Sequence, residues 1–290
     1  MKRKPTRARP RPQLHASGLN LFGKCAKAFE YRYIEGRSYP PDAFKVVGTG
    51  VDRAVMADLA NKITAHVLLE ESAVADIAAD TVRNGWTSDT IADEVPAGKS
   101  PQDAAIDKAV RLVRAHHNLV APEIEPLADG LQKPFALSMD QVLAADNHNL
   151  RELDLVGTPD ILEAARIRDL KTASKSKSQS DVDNSLQLTA YSLARTVETG
   201  SIPLVQLDVL VDLKAGVKPQ ILHSSRDEED FAMLQRRVVA VGRGIKAGIF
   251  PPTDPNAWWC SSRWCGYHAI CPYAVRPRSV AVAENLWEGK

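Results

Sequence analysis

Three charged residues close together in the chain have the types and spacing that metal-assisted chemistry needs. Asp160 closes the run Gly157-Thr158-Pro159-Asp160, and Asp169-Leu170-Lys171 follows shortly after it. Residues 153–162 and 166–172 read as two strands separated by Glu163-Ala164-Ala165. A hairpin symmetric about Ala164-Ala165 sets Asp160 directly opposite Asp169. Opposed residues of an antiparallel pair carry their β-carbons about 4.5–5.5 Å apart on one face. Lys171, two residues on, shares that face. Carboxylates so placed repel each other, and a divalent cation held by oxygen ligands is their natural companion. A lysine beside such an ion can orient or help deprotonate a water and stabilise a phosphorane-like transition state. Together these are the requirements of phosphodiester hydrolysis. The plain alternative is a hairpin with ordinary surface charges.

Other residues join this set at a distance. Gln187 and Tyr191 lie one helical turn apart and share a face. Their helix follows the Lys171 strand, so its first half should lie near that strand's end. There Gln187 is placed to hold the lysine or a phosphate, and Tyr191 to contact a bound strand. Gly48-Thr49-Gly50-Val51-Asp52 puts a carboxylate near the start of a helix, as a third metal ligand or as first-turn helix charge. His66 lies fourteen residues beyond Asp52. That is about 21 Å along an unbroken helix, too far to share one ion. Lys171, Lys175 and Lys177 form a basic stretch suited to phosphate contacts or to plain solvation.

The elements that must position these groups follow from hydrophobic period and punctuation. Leu19, Phe22, Ala26, Phe29 and Tyr33 mark a helix over 17–33, with Cys25 inside it. Gly48-Thr49-Gly50 opens a second helix through Val51, Val55, Leu59 and Ile63. Further helices are expected at 88–95 and at 100–119, the latter with Ser100 as N-cap and Pro101 at its first position. After Pro122 the texture turns to strands at 131–139, 153–162 and 166–172. A polar stretch, 174–180, leads into a helix over 184–198, a strand at 204–213 and a weaker one at 219–224. Ser225-Arg226-Asp227-Glu228 resembles a capping box that starts a long helix striped by Phe231, Leu234, Val238, Val241 and Ile245. This order indicates a mixed α/β domain with a helical insertion.

Composition narrows the class. The chain has 290 residues, 44% of them hydrophobic, enough for a substantial core and too apolar for a wholly disordered chain. With 37 Lys+Arg against 36 Asp+Glu, net basicity argues for no partner, and any claim on nucleic acid rests on local chemistry. No apolar run approaches the ~20 residues of a membrane span. The basic, proline-bearing start lacks an apolar core, so no secretory signal is read and a cytoplasmic location is expected. Residues 1–13 carry Lys2, Arg3, Lys4, Arg7, Arg9 and Arg11 without an acid, as a disordered tail or a phosphate-holding arm.

In that compartment the four cysteines are not expected to form disulfides. Cys25 stands alone, and Cys260, Cys265 and Cys271 follow the spacing C-x4-C-x5-C. Four thiolates can hold an iron–sulfur cluster or a zinc ion, and buried inert thiols are the third possibility. Trp258, Trp259, Trp264 and Tyr267 read as a hydrophobic sheath for this site, with base-stacking platforms as the alternative.

Pro159-Asp160, Asp169-Leu170-Lys171 and Gln187-Leu188-Thr189-Ala190-Tyr191 resemble the motifs of the PD-(D/E)XK nucleases, in their RecB-like branch. One cysteine before the core and three after it are similar to that branch's iron–sulfur subgroup, which includes AddB and the CRISPR-associated adaptation exonucleases. Two positions depart from the family pattern. Asp52 stands where a metal-binding histidine is usual, and the tail is usually closer to C-x2-C-x5-C. The resemblance covers about residues 14–274 and implies a restriction-endonuclease-like mixed central sheet flanked by helices. It implies one nuclease domain over 14–275 with a helical insertion at about 64–130, and a loose tail over 276–290.

The same resemblance implies a metal-dependent DNA nuclease, most simply an exonuclease acting on single strands or ends. Asp160, Asp169, Asp52 and the Leu170 carbonyl would hold Mg2+ or Mn2+. Lys171 would position water, and Gln187 and Tyr191 would orient Lys171 and the substrate. Cys25, Cys260, Cys265 and Cys271 would carry a structural [4Fe–4S] cluster tying the chain's ends together, with zinc as the alternative. Protein partners would come from recombination, replication or CRISPR adaptation, and the oligomeric state stays open. The competing reading is a catalytically idle DNA-binding accessory protein.

Overall fold

Capping side chains and glycines set the helix boundaries, and the two-residue period of the strands sorts their side chains between two faces. The computed structural model describes residues 13–92, 98–143 and 150–275. In chain order the elements are β1 (Gln13–His15), α1 (Ala16–Lys24), α2 (Ala26–Phe29) with a π-helical turn at Glu30–Ile34, α3 (Ala43–Ala65), α4 (Glu71–Gly85) and α5 (Pro101–Leu119). Then come β2 (Phe135–Ser138), α6 (Met139–Val142), β3 (Asp154–Gly157), β4 (Ile161–Leu162) and β5 (Arg166–Ala173). The last are α7 (Gln179–Asp183), α8 (Leu186–Thr199), β6 (Leu204–Leu213), β7 (Gly216–Ser224) and α9 (Glu228–Ala247). The described residues fall into two compact units, one from 13–20 and 40–248, the other from 21–39 and 249–275.

The larger unit is built on two mixed sheets, ordered β1-β3-β2 and β4-β5-β6-β7. β1 runs parallel to β3 and β2 antiparallel to it. β5 runs parallel to β6, with β4 and β7 antiparallel on either side. The expected strand over 153–162 is therefore two strands in different sheets. The break falls at Thr158-Pro159-Asp160, where Pro159 has no N–H to give a ladder. The hairpin register beyond the break is the expected one: Ile161 faces Arg168 and Leu162 faces Ile167. Gln13, assigned to the basic tail, already pairs with Asp154 in β1. Residues 1–12 of that tail and the C-terminal tail over 276–290 lie outside the described residues.

Side-chain alternation divides the second sheet's core in two. Leu170 and Leu210 pack with Val47, Val51 and Leu112 of the helical layer α3–α5. Ile167, Val205, Leu207 and Val209 pack with Leu188 and Tyr191 of α8. On the α3–α5 side Arg168 is buried between two acids, donating to Glu163 at 2.7 Å and to Asp208 at 3.2 Å. Pairing is what makes charges tolerable there.

The helical insertion exists, with α4 and α5 packed on α3, but its elements shift from expectation. α3 starts at Ala43, with the Asp42 side chain accepting from the Lys45 N–H at 2.7 Å, so Gly48 lies inside it. α4 is an unexpected helix. It is rich in alanine, and its buried stripe of Val74, Ala78 and Val82 gives a weak apolar signal. The helix expected over 88–95 is absent from 88–92, which forms a turn and a bridge, and 93–95 lie outside the described residues. α5 has its Ser100 cap and Pro101 as expected. The strand at 131–139 shrinks to β2, with Leu131 only bridging Ile161. The capping box before α9 is Asp227 with Asp230, two residues later than expected, because Asp227 is the residue with extended backbone.

In the smaller unit, Ala28, Tyr31 and Tyr267 form a buried cluster against Cys25, Cys265 and Cys271. Cys25 lies between helices and not inside one. Its backbone is extended (φ −163°, ψ 103°), which ends α1 and starts α2, while its N–H still donates to the Leu21 carbonyl at 2.7 Å. Among the described residues no helix is long and apolar enough to cross a membrane.

Candidate active site

The break between β3 and β4 delivers Asp160 to the edge of the second sheet, beside the middle of β5. Its Oδ2 accepts the Leu170 N–H at 2.7 Å. Asp169 is 2% exposed, and Lys171 Nζ stands 2.6 Å from its Oδ2. Gln187 of α8 reaches down, its Nε2 donating to Asp169 Oδ1 at 3.1 Å and lying 2.7 Å from the Tyr191 hydroxyl. Gln187 thus holds the carboxylate and not the lysine. Tyr191 meets the site through Gln187 and through the Thr158 backbone. The lysine side chain is 43% exposed, and its Nζ lies 3.3 Å from the Leu170 carbonyl.

Electrostatics follow from this crowding. Burial, and then the charge of Asp169, push the Asp160 carboxyl up to about 7, against the pull of Lys171 and the Leu170 N–H. Burial also raises Asp169 despite Lys171, with Asp52 adding repulsion. Burial works against the Lys171 ammonium, but Asp169 and Asp160 outweigh it and hold the lysine above its ordinary value. Lys171 is accordingly a cation at neutral pH and suits charge stabilisation and water orientation better than proton abstraction. Burial raises the Tyr191 phenol as well, so its hydroxyl stays neutral.

Asp52 lies in the third turn of α3, so first-turn helix charge no longer accounts for it. It lines a cavity of about 410 Å3 together with Asp160, Leu170 and Lys171. His66 caps the far end of the same continuous helix, away from any shared ion. The residue that sequence reasoning missed is Gln132. Its Nε2 donates to Asp52 Oδ2 at 2.9 Å, and its N–H donates to the Asp160 carbonyl at 2.9 Å. It does so from φ 46°, a left-handed conformation costly for a side-chain-bearing residue. Nothing in the run Leu131-Gln132-Lys133 signals this. On the other side of Thr158 a second cavity of about 580 Å3 is lined by His15, Ser17, Phe135, Gln187 and Tyr191. Thr158 borders both cavities.

These donors suit a hard cation chemically: carboxylates and a carbonyl, with mutual repulsion that positive charge relieves. They are not gathered around a point. Among the described residues no three His, Cys, Asp or Glu side chains form a ready metal site. Lys171 engages Asp169, Gln132 engages Asp52, and the Leu170 N–H engages Asp160. In the smaller unit Cys25, Cys260, Cys265 and Cys271 are free thiols that line one cavity of about 30 Å3. Burial and the neighbouring cysteines raise Cys260. Tyr267 is buried beside them as expected of a sheath, but Trp258 and Trp264 are 64% and 58% exposed.

The mixed sheets flanked by helices are those of the restriction-endonuclease-like α/β proteins. The sequence model of the PD-(D/E)XK nuclease superfamily matches residues 13–272, and the chain belongs to that superfamily. Its fold is similar to the crystal structure of a "Putative exonuclease" from Eubacterium rectale, with TM-score 0.52 and 11% identity over 93% of this chain and 91% of that one. SSO0001 aligns over the same shares at 11% identity with TM-score 0.40. No curated protein matches the chain.

Proposed function

We propose that the chain is a metal-dependent deoxyribonuclease of the RecB-like branch, working as an exonuclease on single strands or DNA ends. The observation that carries the reading is the half-buried Asp160 beside the buried Asp169, with the Lys171 ammonium 2.6 Å from Asp169 and both Asp160 and Lys171 lining an open cavity. Such a pair is unfavourable without added positive charge, and a purely structural hairpin has no need of it. Asp160, Asp169, Asp52 and the Leu170 carbonyl would hold Mg2+ or Mn2+. When bound, such an ion polarises a phosphoryl oxygen and makes its water a stronger nucleophile. Lys171, released from Asp169 towards the cavity, would stabilise the extra negative charge on the phosphoryl oxygens and orient the attacking water. Gln187 keeps Asp169 aimed, and Tyr191 keeps Gln187 aimed. The cavities on either side of Thr158 suit a strand passing across the site.

Exonuclease action draws on the motif resemblance and on the description carried by the Eubacterium rectale protein. Cys25, Cys260, Cys265 and Cys271 would hold a [4Fe–4S] cluster with a structural role, or zinc in its place. The test is digestion of 5′- and 3′-labelled strands with Mn2+, with and without EDTA. Asp169→Ala and Lys171→Ala should each lower turnover by at least about 10²-fold with an unchanged circular dichroism spectrum. Full turnover in either variant refutes the assignment. Binding without cleavage by the unaltered protein in Mg2+ and Mn2+ leaves an idle DNA-binding accessory.

A further inference from the structure

We propose that the smaller unit carries a stacking platform for single-stranded nucleic acid, built on Trp258 and Trp264. Both indoles are exposed, at 64% and 58%, on a unit whose interior already has Tyr31 and Tyr267 to fill it. They meet edge to face, with ring centres 5.5 Å apart and planes at 86°, and Trp259 adds a second edge-to-face contact at 5.5 Å. An edge-to-face contact covers one face of only one of its two rings, and a flat, sequence-tolerant π-face is what a base stacks on.

The cations around the rings choose the ligand. Lys24 Nζ lies 5.3 Å from the Trp258 ring centre and 5.6 Å from that of Trp259, and the Arg263 guanidinium lies 5.4 Å from the Trp264 ring. Arg32 lines the adjoining hollow with Lys24, Trp259 and Trp264. Among the described residues, Lys24, Arg32 and Arg263 appear in no ion pair, whereas neighbouring Lys27 and Arg37 are paired with Glu30 and Glu35. Exposed indoles beside unpaired cations fit a chain that alternates aromatic rings with phosphates. A lipid surface would also welcome tryptophan and lysine. Membership of a nuclease superfamily favours the nucleic acid. The proposal rests on that membership for its ligand class and not on the metal chemistry.

The experiment is anisotropy of a labelled 20-nucleotide single strand and of a blunt duplex of equal length, in EDTA so that no cleavage intervenes. It uses the full chain. The double variant Trp258→Ala/Trp264→Ala should weaken single-strand binding by tenfold or more, a loss on the order of one to two stacks. The duplex affinity should not change. Trp258→Phe/Trp264→Phe should restore most of the affinity, which a misfolded unit could not do. Arg263→Glu should flatten the salt dependence by roughly 0.7 in the log–log slope for each phosphate that is no longer neutralised. Unchanged single-strand affinity in the alanine variant, or equal weakening for strand and duplex, overturns the platform. So does tryptophan-dependent binding to vesicles with 30% phosphatidylserine in place of the strand. Digestion in Mn2+ is read separately, so the platform and the nuclease assignment can each fail alone.

Discussion

His116 offers a quantitative test of how tightly the helical insertion closes over β5. It lies on α5, is 1% exposed, and neither ring nitrogen has a hydrogen-bond partner among the described residues. Burial, then the charges of Arg168 and His117, push its value down to about 3. An unfolded-chain histidine titrates near 6.5. The folded value is the depressed one, so its contribution to stability is intact above about pH 6.5. It is lost progressively as pH falls towards 3, while the unfolded chain takes up a proton that the folded chain refuses. At pH 5.0 the loss is about 2 kcal/mol, and at pH 3 it reaches about 4 kcal/mol. His116→Leu removes the titration and leaves an apolar group of similar bulk. The carboxylates titrate in both proteins and cancel in the difference. Urea unfolding at pH 7.5 and 5.0 should show the stability of the wild type falling by about 2 kcal/mol relative to His116→Leu. A difference that stays constant within about 0.5 kcal/mol between the two pH values would mean that the folded protein accepts the proton, and the sealed interface would have to be abandoned.

Other perturbations separate the roles of individual residues. Gln132→Gly keeps the left-handed backbone and its N–H to Asp160 but removes the amide from Asp52. Stability should hold within about 1 kcal/mol while turnover falls on the order of tenfold, and equal activity would deny the side chain a role. Gly50→Ala brings a β-carbon 2.7 Å from Val82 and 3.0 Å from the Ala78 carbonyl, so it should cost about 1–3 kcal/mol in urea melts. Arg168→Leu strands Glu163 and Asp208 and should cost roughly 3–5 kcal/mol, with much of that recovered by Arg168→Leu/Asp208→Leu. Cys25→Ser should remove visible absorbance from protein purified without oxygen; a colourless wild type with stoichiometric zinc would assign zinc instead.

The hairpin of the candidate site was legible in the chain because strand alternation has a period of two and the connection is short. Fixing one pair fixes Asp160 and Asp169 on one face, and Ile161 opposite Arg168 shows that register. Ser100 and Pro101 were legible for the same reason, since a cap acts on its own helix. What the chain concealed was decided between distant segments. Gly48-Thr49-Gly50 reads locally as a helix start, yet it lies within α3. Gly50 is there because α4 approaches too closely for a β-carbon, a constraint set by a helix some thirty residues away. Gln132 became part of the site only when a strained backbone brought it between Asp52 and Asp160. Local periodicity records how a segment meets a generic interior. Which particular groups meet there depends on close packing across the whole domain, and only tertiary structure settles it.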